Sequence, residues 1–203
     1  MANPNPNANH PRRGSSIKVQ PIRSEAAIQQ IKDNLKDQPR NLCLFTMGIN
    51  TAYRANELLS LTIGQVIDLQ AGDLLDIKQS KTKKYRPTVI NDVTYKAIQY
   101  WLLYHPKGKD RNAPLFLSQR RGQSLTVSAV IGLVKAWCKD AGLSGNYGSH
   151  SLRKTWGYHQ RIKNNASVPV LMRAFKHKTE AQTLDYLCIV PVEICTLYKT
   201  LQL

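Results

Sequence analysis

The sequence predicts a mainly α-helical protein with a small antiparallel β-sheet placed early in the chain. Apolar residues recur at helical spacing in segment after segment, which is the pattern of amphipathic helices packed on one core. One region departs from it. After Gly72, DLLDIKQ, SKTKKY and RPTVIN read as a strand, a polar turn and a second strand. With 203 residues, 42% of them hydrophobic, the chain can bury one ordinary core.

Residues 1 to 20 are rich in Asn, Pro and Ser around a basic Pro11-Arg12-Arg13 step, and a disordered basic tail is expected there. Order is expected to begin near Ser24, which can cap a helix carrying Ala27, Ile28, Ile31 and Leu35. A second helix runs from about Arg40 through Met47, with Gly48-Ile49-Asn50 as its breaker. A short helix follows over Arg54 to Leu61, with Leu58 and Leu61 inward. Beyond the hairpin, Val93 to Tyr104 is helical, Pro106 to Ala113 a basic loop, and LFLS a short strand-like piece.

Thr126 to Ala141 sets Val130, Leu133, Val134 and Trp137 on one helix face, with Gly142 just past its end. His150 to Ile162 is helical, and Ser167 to Phe175 is a short helix with Pro169 in its first turn. Thr179-Glu180-Ala181-Gln182 has the form of a capping box and opens a helix through Tyr186. After Pro191, the stripe Ile194, Leu197, Tyr198 and Leu201 predicts a final helix.

Charge narrows the partners. Lys and Arg number 29 against 13 Asp and Glu, a formal +16. Such an imbalance repels itself in the compact state, and a polyanion relieves the repulsion, so nucleic acid is the expected partner. Cys43, Cys138, Cys188 and Cys195 form no CxxC and have no paired His spacing, so they read as buried thiols rather than zinc ligands. No apolar run reaches a membrane span, and the N-terminus has no apolar signal core; the expected location is the cytoplasm, at the nucleoid.

The polar residues at element junctions carry the chemistry. Arg54 follows a turn, with Glu57 one helical turn later. Lys81 stands in the hairpin turn beside Lys83 and Lys84. His150 and Arg153 share the start of a helix. His177 precedes the capped helix, and Tyr186 stands nine residues further on. In order, the segments are GINTAYRANELLSL, SKTKKYR, HSLRKT and KHKTEAQTLDY. Together they resemble the tyrosine recombinase, or phage integrase, family over about residues 40 to 190. Two positions depart from the family pattern: Lys176 stands where a Gly usually precedes the second His, and Asn56 takes a Ser place.

The resemblance implies the catalytic-domain fold of that family, with a three-stranded sheet near its front. It implies a catalytic domain over 21–190 that breaks and rejoins DNA, followed by a helical tail over 191–203. Arg54 and Arg153 would hold the non-bridging oxygens of a phosphodiester as its charge concentrates. His150 would assist Tyr186, the nucleophile, and His177 would hydrogen-bond the phosphate. Lys81 would protonate the leaving 5′ oxygen, with Lys83 and Lys84 close enough to contest that assignment. No cofactor or metal is called for. Double-stranded DNA is the substrate, a homotetramer on two DNA sites the assembly, and DNA-bending proteins the accessory partners.

The C-terminal stripe would dock on a neighbouring subunit, the alternative being that it folds back on the chain's own core. The chain leaves no room before the first motif for the clamping domain of longer members, so a short, invertase-like enzyme or a catalytic fragment is expected. The rivals are a type IB topoisomerase-like enzyme, a non-catalytic DNA-binding regulator and a generic RNA-binding module. The last is disfavoured by the lack of RNP-like or GXXG features.

The charge makes a measurable demand. With about 6–10 phosphates neutralised, affinity for duplex DNA is expected to drop on the order of 10³–10⁵-fold between about 50 and 200 mM salt. A nearly flat response in a salt titration contradicts the polyanion reading.

Overall fold

A computed structural model describes residues 18–78, 85–118 and 122–189. Eight helices and one hairpin follow in the order α1 (Glu25–Asn34), α2 (Pro39–Asn50), α3 (Ala55–Leu59), β1 (Leu74–Lys78), β2 (Tyr85–Val89), α4 (Asp92–Tyr104), α5 (Val127–Asp140), α6 (Ser149–Ile162), α7 (Val168–Phe175) and α8 (Glu180–Leu187). The turn with Lys81, Lys83 and Lys84, most of the N-terminal tail, and the stripe after Pro191 with Cys195 lie outside the described residues.

The predicted caps form. Ser24, Thr126 and Thr179 each accept a backbone N–H at the third residue onward, from Ala27, Ala129 and Gln182. The reciprocal arm at α8 reaches one residue further back than a capping box requires: the Gln182 side chain accepts from the Lys178 N–H. Pro39 and Pro169 sit in the first turns of α2 and α7, where their missing N–H costs nothing.

α2 runs through the core. Cys43, Leu44, Phe45 and Met47 are fully buried, and Phe45 meets Trp137 of α5 edge to face at 5.8 Å. The expected breaker at Gly48 is a correction: α2 continues to Asn50. Gly48 is there for a crossing, since a Cβ at that position would lie 2.5 Å from Leu152 Cδ1 of α6. In the hairpin, Leu75 pairs with Thr88 and Ile77 with Arg86, and Leu75 and Ile77 point inward while Leu74 faces solvent. Tyr53, itself buried, donates its hydroxyl to Leu75 O at 2.7 Å and ties the hairpin to the turn before α3.

Two more expectations are corrected. Among the described residues the sheet has two strands rather than three. Leu115, Phe116 and Leu117 are buried, but the strand-like piece pairs through isolated bridges rather than a ladder, Thr62 with Pro114 and Leu117 with Ser124. Order also begins before Ser24. Residues 18–23 lie along α6: Gln20 N–H donates to Asn146 O, Ile22 N–H to Thr155 Oγ1, and Ile22 O meets His159 Nε2 at 3.0 Å. Burial of Pro21 and Ile22 accounts for it.

A second, smaller cluster lies beside the main one. Ala52, Leu171, Phe175 and Leu187 are buried, with Trp156 and Tyr186 against them. It docks α7 and α8 on α6 at Gly157, where a Cβ would lie 2.4 Å from Phe175 Cζ and 2.7 Å from Leu187 Cδ2. Cys43 and Cys138 are buried thiols; burial pushes Cys138 up to about 12 and Cys43 higher still.

Lys176 ends α7 in the left-handed conformation, φ 57° and ψ 43°, so the turn that glycine usually supplies forms with a side chain present. Such a residue costs about 1 kcal/mol against glycine. Lys176→Gly is expected to raise the melting temperature by about 2–4 °C, read by thermal denaturation; a lower value shows that the lysine side chain outweighs its backbone strain.

Candidate active site

The site is built where the two clusters meet, from the turn after α2, the start of α6, the end of α7 and the length of α8. Arg54 caps α3. Its own N–H donates to Glu57 Oε2 at 2.7 Å and its Nη1 to Glu57 Oε1 at 3.0 Å, so Glu57 both supports Arg54 and caps the helix. Glu57 is buried and the Arg54 side chain is 39% exposed, so a fixed carboxylate aims a guanidinium that still faces solvent.

Arg153 is the opposite case. It is 2% exposed, and its guanidinium donates to Ala52 O and, at 3.2 Å, to Phe175 O. It also lies 4.8 Å over the Phe175 ring. Ala52 adopts φ 55° in the turn it offers to Arg153. His150, three residues earlier in the same first turn, is exposed, so the pair shares a helix end without sharing an environment.

Tyr186 is half-buried on α8. Its hydroxyl lies 3.4 Å from His150 Nδ1, its ring meets His177 edge-on at 5.0 Å, and Phe175 packs at 5.2 Å. His177 stacks on Phe175 and holds Thr183 Oγ1 at 3.1 Å through Nδ1. The structure therefore gathers Arg54, His150, Arg153, His177 and Tyr186 into one site. Lys81 falls outside the described residues, between the ends of β1 and β2.

The electrostatics favour neutral imidazoles. Although part of His150 faces solvent, desolvation by the atoms packed around it comes first, the charges of Arg153, Arg54 and Lys154 follow, and together they push it below its ordinary value. Burial, then Arg153 and Arg54, do the same to His177. Both arginine charges act on both histidines, so the four side chains share one positive field.

Three residues escaped the sequence reading. Phe175 is the shared wall of Arg153, His177 and Tyr186. Thr183, fully buried, fixes His177. Lys154, 5% exposed, lies 4.9 Å over the Tyr186 ring. A signal existed for one of them: Thr183 is one helical turn before Tyr186.

Comparison with known proteins gives the chain a family and a fold. The model of the phage integrase family matches residues 23–189. The chain is 34% identical over 174 residues to the probable integrase/recombinase YoeC of Bacillus subtilis (strain 168), covering 84% of this chain and 90% of that protein. It is 31% identical over 150 residues to tyrosine recombinase XerC of Caldanaerobacter subterraneus subsp. tengcongensis, covering 72% of this chain and 40% of that one.

Among solved structures, XerA recombinase superposes with a TM-score of 0.72 at 21% identity, over 89% of this chain and 65% of that chain. XerH recombinase in a post-cleavage complex with palindromic difH substrate also gives 0.72, at 20% identity, over 91% of this chain and 54% of that chain. These two likenesses speak to the fold. The chain thus spans most of the first relative and about half to two thirds of the solved recombinases.

The lowered histidines link stability to pH. As pH falls, the unfolded chain takes up protons at His150 and His177 near 6.5, before the folded chain does. Their contribution is therefore intact above that value and is lost as pH falls below it. Melting temperature is expected to decline from about pH 7 to about pH 5, and the double variant His150→Gln/His177→Gln should flatten that decline. An unchanged slope in the double variant assigns it to other groups.

Proposed function

The chain belongs to the phage integrase family of tyrosine recombinases, and from that premise we propose that it breaks and rejoins double-stranded DNA through a 3′-phosphotyrosyl link on Tyr186. The observation that supports this most is the 3.4 Å approach of the Tyr186 hydroxyl to a His150 nitrogen held below its ordinary pKa. A phenol titrates near 10, so it needs an acceptor as it attacks. Neutral His150 takes that proton at Nδ1 while the Tyr186 oxygen bonds to phosphorus and the bond to the 5′ oxygen breaks. The leaving oxygen takes its proton from Lys81 or a neighbouring lysine of the hairpin turn. Rejoining runs the same steps backward, and the phosphotyrosyl bond conserves the energy, so neither ATP nor a metal is consumed.

Arg54 and Arg153 stabilise the charge that builds on the phosphorane, one from the solvent side and one from the buried side. His177 donates from Nε2 to a phosphate oxygen. The Thr183 hydroxyl has one proton and two acceptors within reach, His177 Nδ1 at 3.1 Å and Thr179 O at 3.2 Å. Given to His177, that proton leaves Nε2–H as the donor of a neutral imidazole; given to Thr179, it leaves Nε2 bare. Phosphate binding selects the first arrangement. The working assembly is a homotetramer on two DNA sites, with the 191–203 segment passed between subunits and DNA-bending proteins as accessories.

A nicked suicide duplex tests the nucleophile and the cofactor call together. The parent chain is expected to form a covalent, protease-sensitive adduct in EDTA, while Tyr186→Phe binds the duplex equally well and forms none. An adduct on the variant moves the nucleophile elsewhere, and loss in EDTA that Mg²⁺ restores replaces the arginine mechanism with a metal-assisted one.

A further inference from the structure

We propose that Lys154 is a positioning residue that locks the end of α8, and with it Tyr186, to the N-terminal strap formed by residues 18–23. The inference rests on Tyr186 as nucleophile only for its catalytic consequence.

Lys154 is 5% exposed on α6, and an ammonium is buried at such a depth only when its donors are taken. Its acceptors among the described residues include no carboxylate. Nζ donates to Val19 O at 2.8 Å and to Cys188 Sγ at 3.5 Å, and it lies 4.9 Å over the Tyr186 ring. Those groups belong to two segments far apart in sequence, the strap and the end of α8. The cation is satisfied only when both are seated on α6 at once.

A second residue makes the same link independently. Arg23 Nη2 donates to Cys188 O at 2.8 Å, and its guanidinium lies 5.6 Å over the Tyr158 ring of α6. The strap is itself pinned to α6 on both sides of Ile22, by Thr155 Oγ1 and His159 Nε2.

The end of α8 needs such a clamp. The helix has eight residues, and its anchor in the small cluster is Leu187. Cys188 then closes it in the left-handed conformation at φ 55°, an unfavourable state for a residue with a Cβ. Its N–H and that of Ile189 bond back to Asp185 O and Leu184 O, a helix ending that glycine usually makes. Lys154 and Arg23 hold the residue that carries this strain, two positions from the Tyr186 hydroxyl. Without them the last turn frays, and the phenol leaves the His150 edge.

Hydrogen exchange and adduct formation test this on the full chain. In Lys154→Met, which keeps the stem but not the charge, the Cys188 and Ile189 amides are expected to exchange about tenfold faster while α1–α5 keep their protection. At saturating duplex the adduct should form about tenfold more slowly with unchanged DNA affinity, and Lys154→Arg should restore both readouts in large part. Arg23→Gln, on the exposed side of the clamp, should give the same local pattern more weakly and covers the case in which the methionine variant does not fold.

Two results overturn the proposal: unchanged protection at Cys188 and Ile189 in the variants that fold, or a loss spread evenly over all helices, which is ordinary destabilisation. The exchange readout does not depend on catalysis. A parent chain that forms no adduct at all defeats the functional reading and leaves the clamp to be judged by exchange.

Discussion

The buried guanidinium of Arg153 is the constraint on which the rest of this structure depends. A charge so deep is tolerable only with its donors placed, and the acceptors here are backbone carbonyls from the turn after α2 and the end of α7. Neither carbonyl reaches it from an ordinary helix end. Ala52 and Lys176, the residues at and just after these points, both take up left-handed conformations. The fold thus holds two strained corners around one cation. Desolvation is the first cause that lowers His150 and His177 and this cation is the next, so the group that organises the backbone also contributes to the protonation of the side chains near it.

The molecule divides its labour between two apolar clusters. The larger, around α2 and α5, is a conventional interior of aliphatic and aromatic side chains. The smaller holds α7 and α8 with four buried residues. That is little area for two short helices, and polar and cationic contacts make up the difference: Thr183 to His177, Lys154 to the strap, Arg23 to Cys188. The segment that carries Tyr186 is therefore fastened in good part by directional bonds, which fix orientation more sharply than apolar contact does. Its stability is local in origin and separable from that of the main core.

Much of this was legible beforehand because helices announce themselves locally. Ser24, Thr126 and Thr179 cap where their side chains say they should, and the stripes of α1 and α5 face inward as their spacing requires. The candidate site residues were picked out by order and spacing, and five of the six lie together among the described residues. What failed depended on contacts distant in sequence. Gly48 has the look of a breaker because its partner, Leu152, is more than a hundred residues away. Residues 18–20 pass for tail until α6 and the turn before it are there to hold them, through Lys154 on Val19 O and Asn146 O on the Gln20 N–H. Lys154 carries no motif; it is conspicuous only once its surroundings are seen to be buried.

Gly157 carries a consequence of another kind. Glycine inside a helix sacrifices roughly 1 kcal/mol relative to alanine. Here the absent methyl lets Phe175 and Leu187 rest directly on the α6 backbone. The spacing between the helix that bears His150 and Arg153 and the helix that bears Tyr186 is thereby gauged by hard contact between atoms rather than by the rotamers of pliant side chains. A hydrogen atom serves as the shim, and a methyl in its place would push the two helices apart.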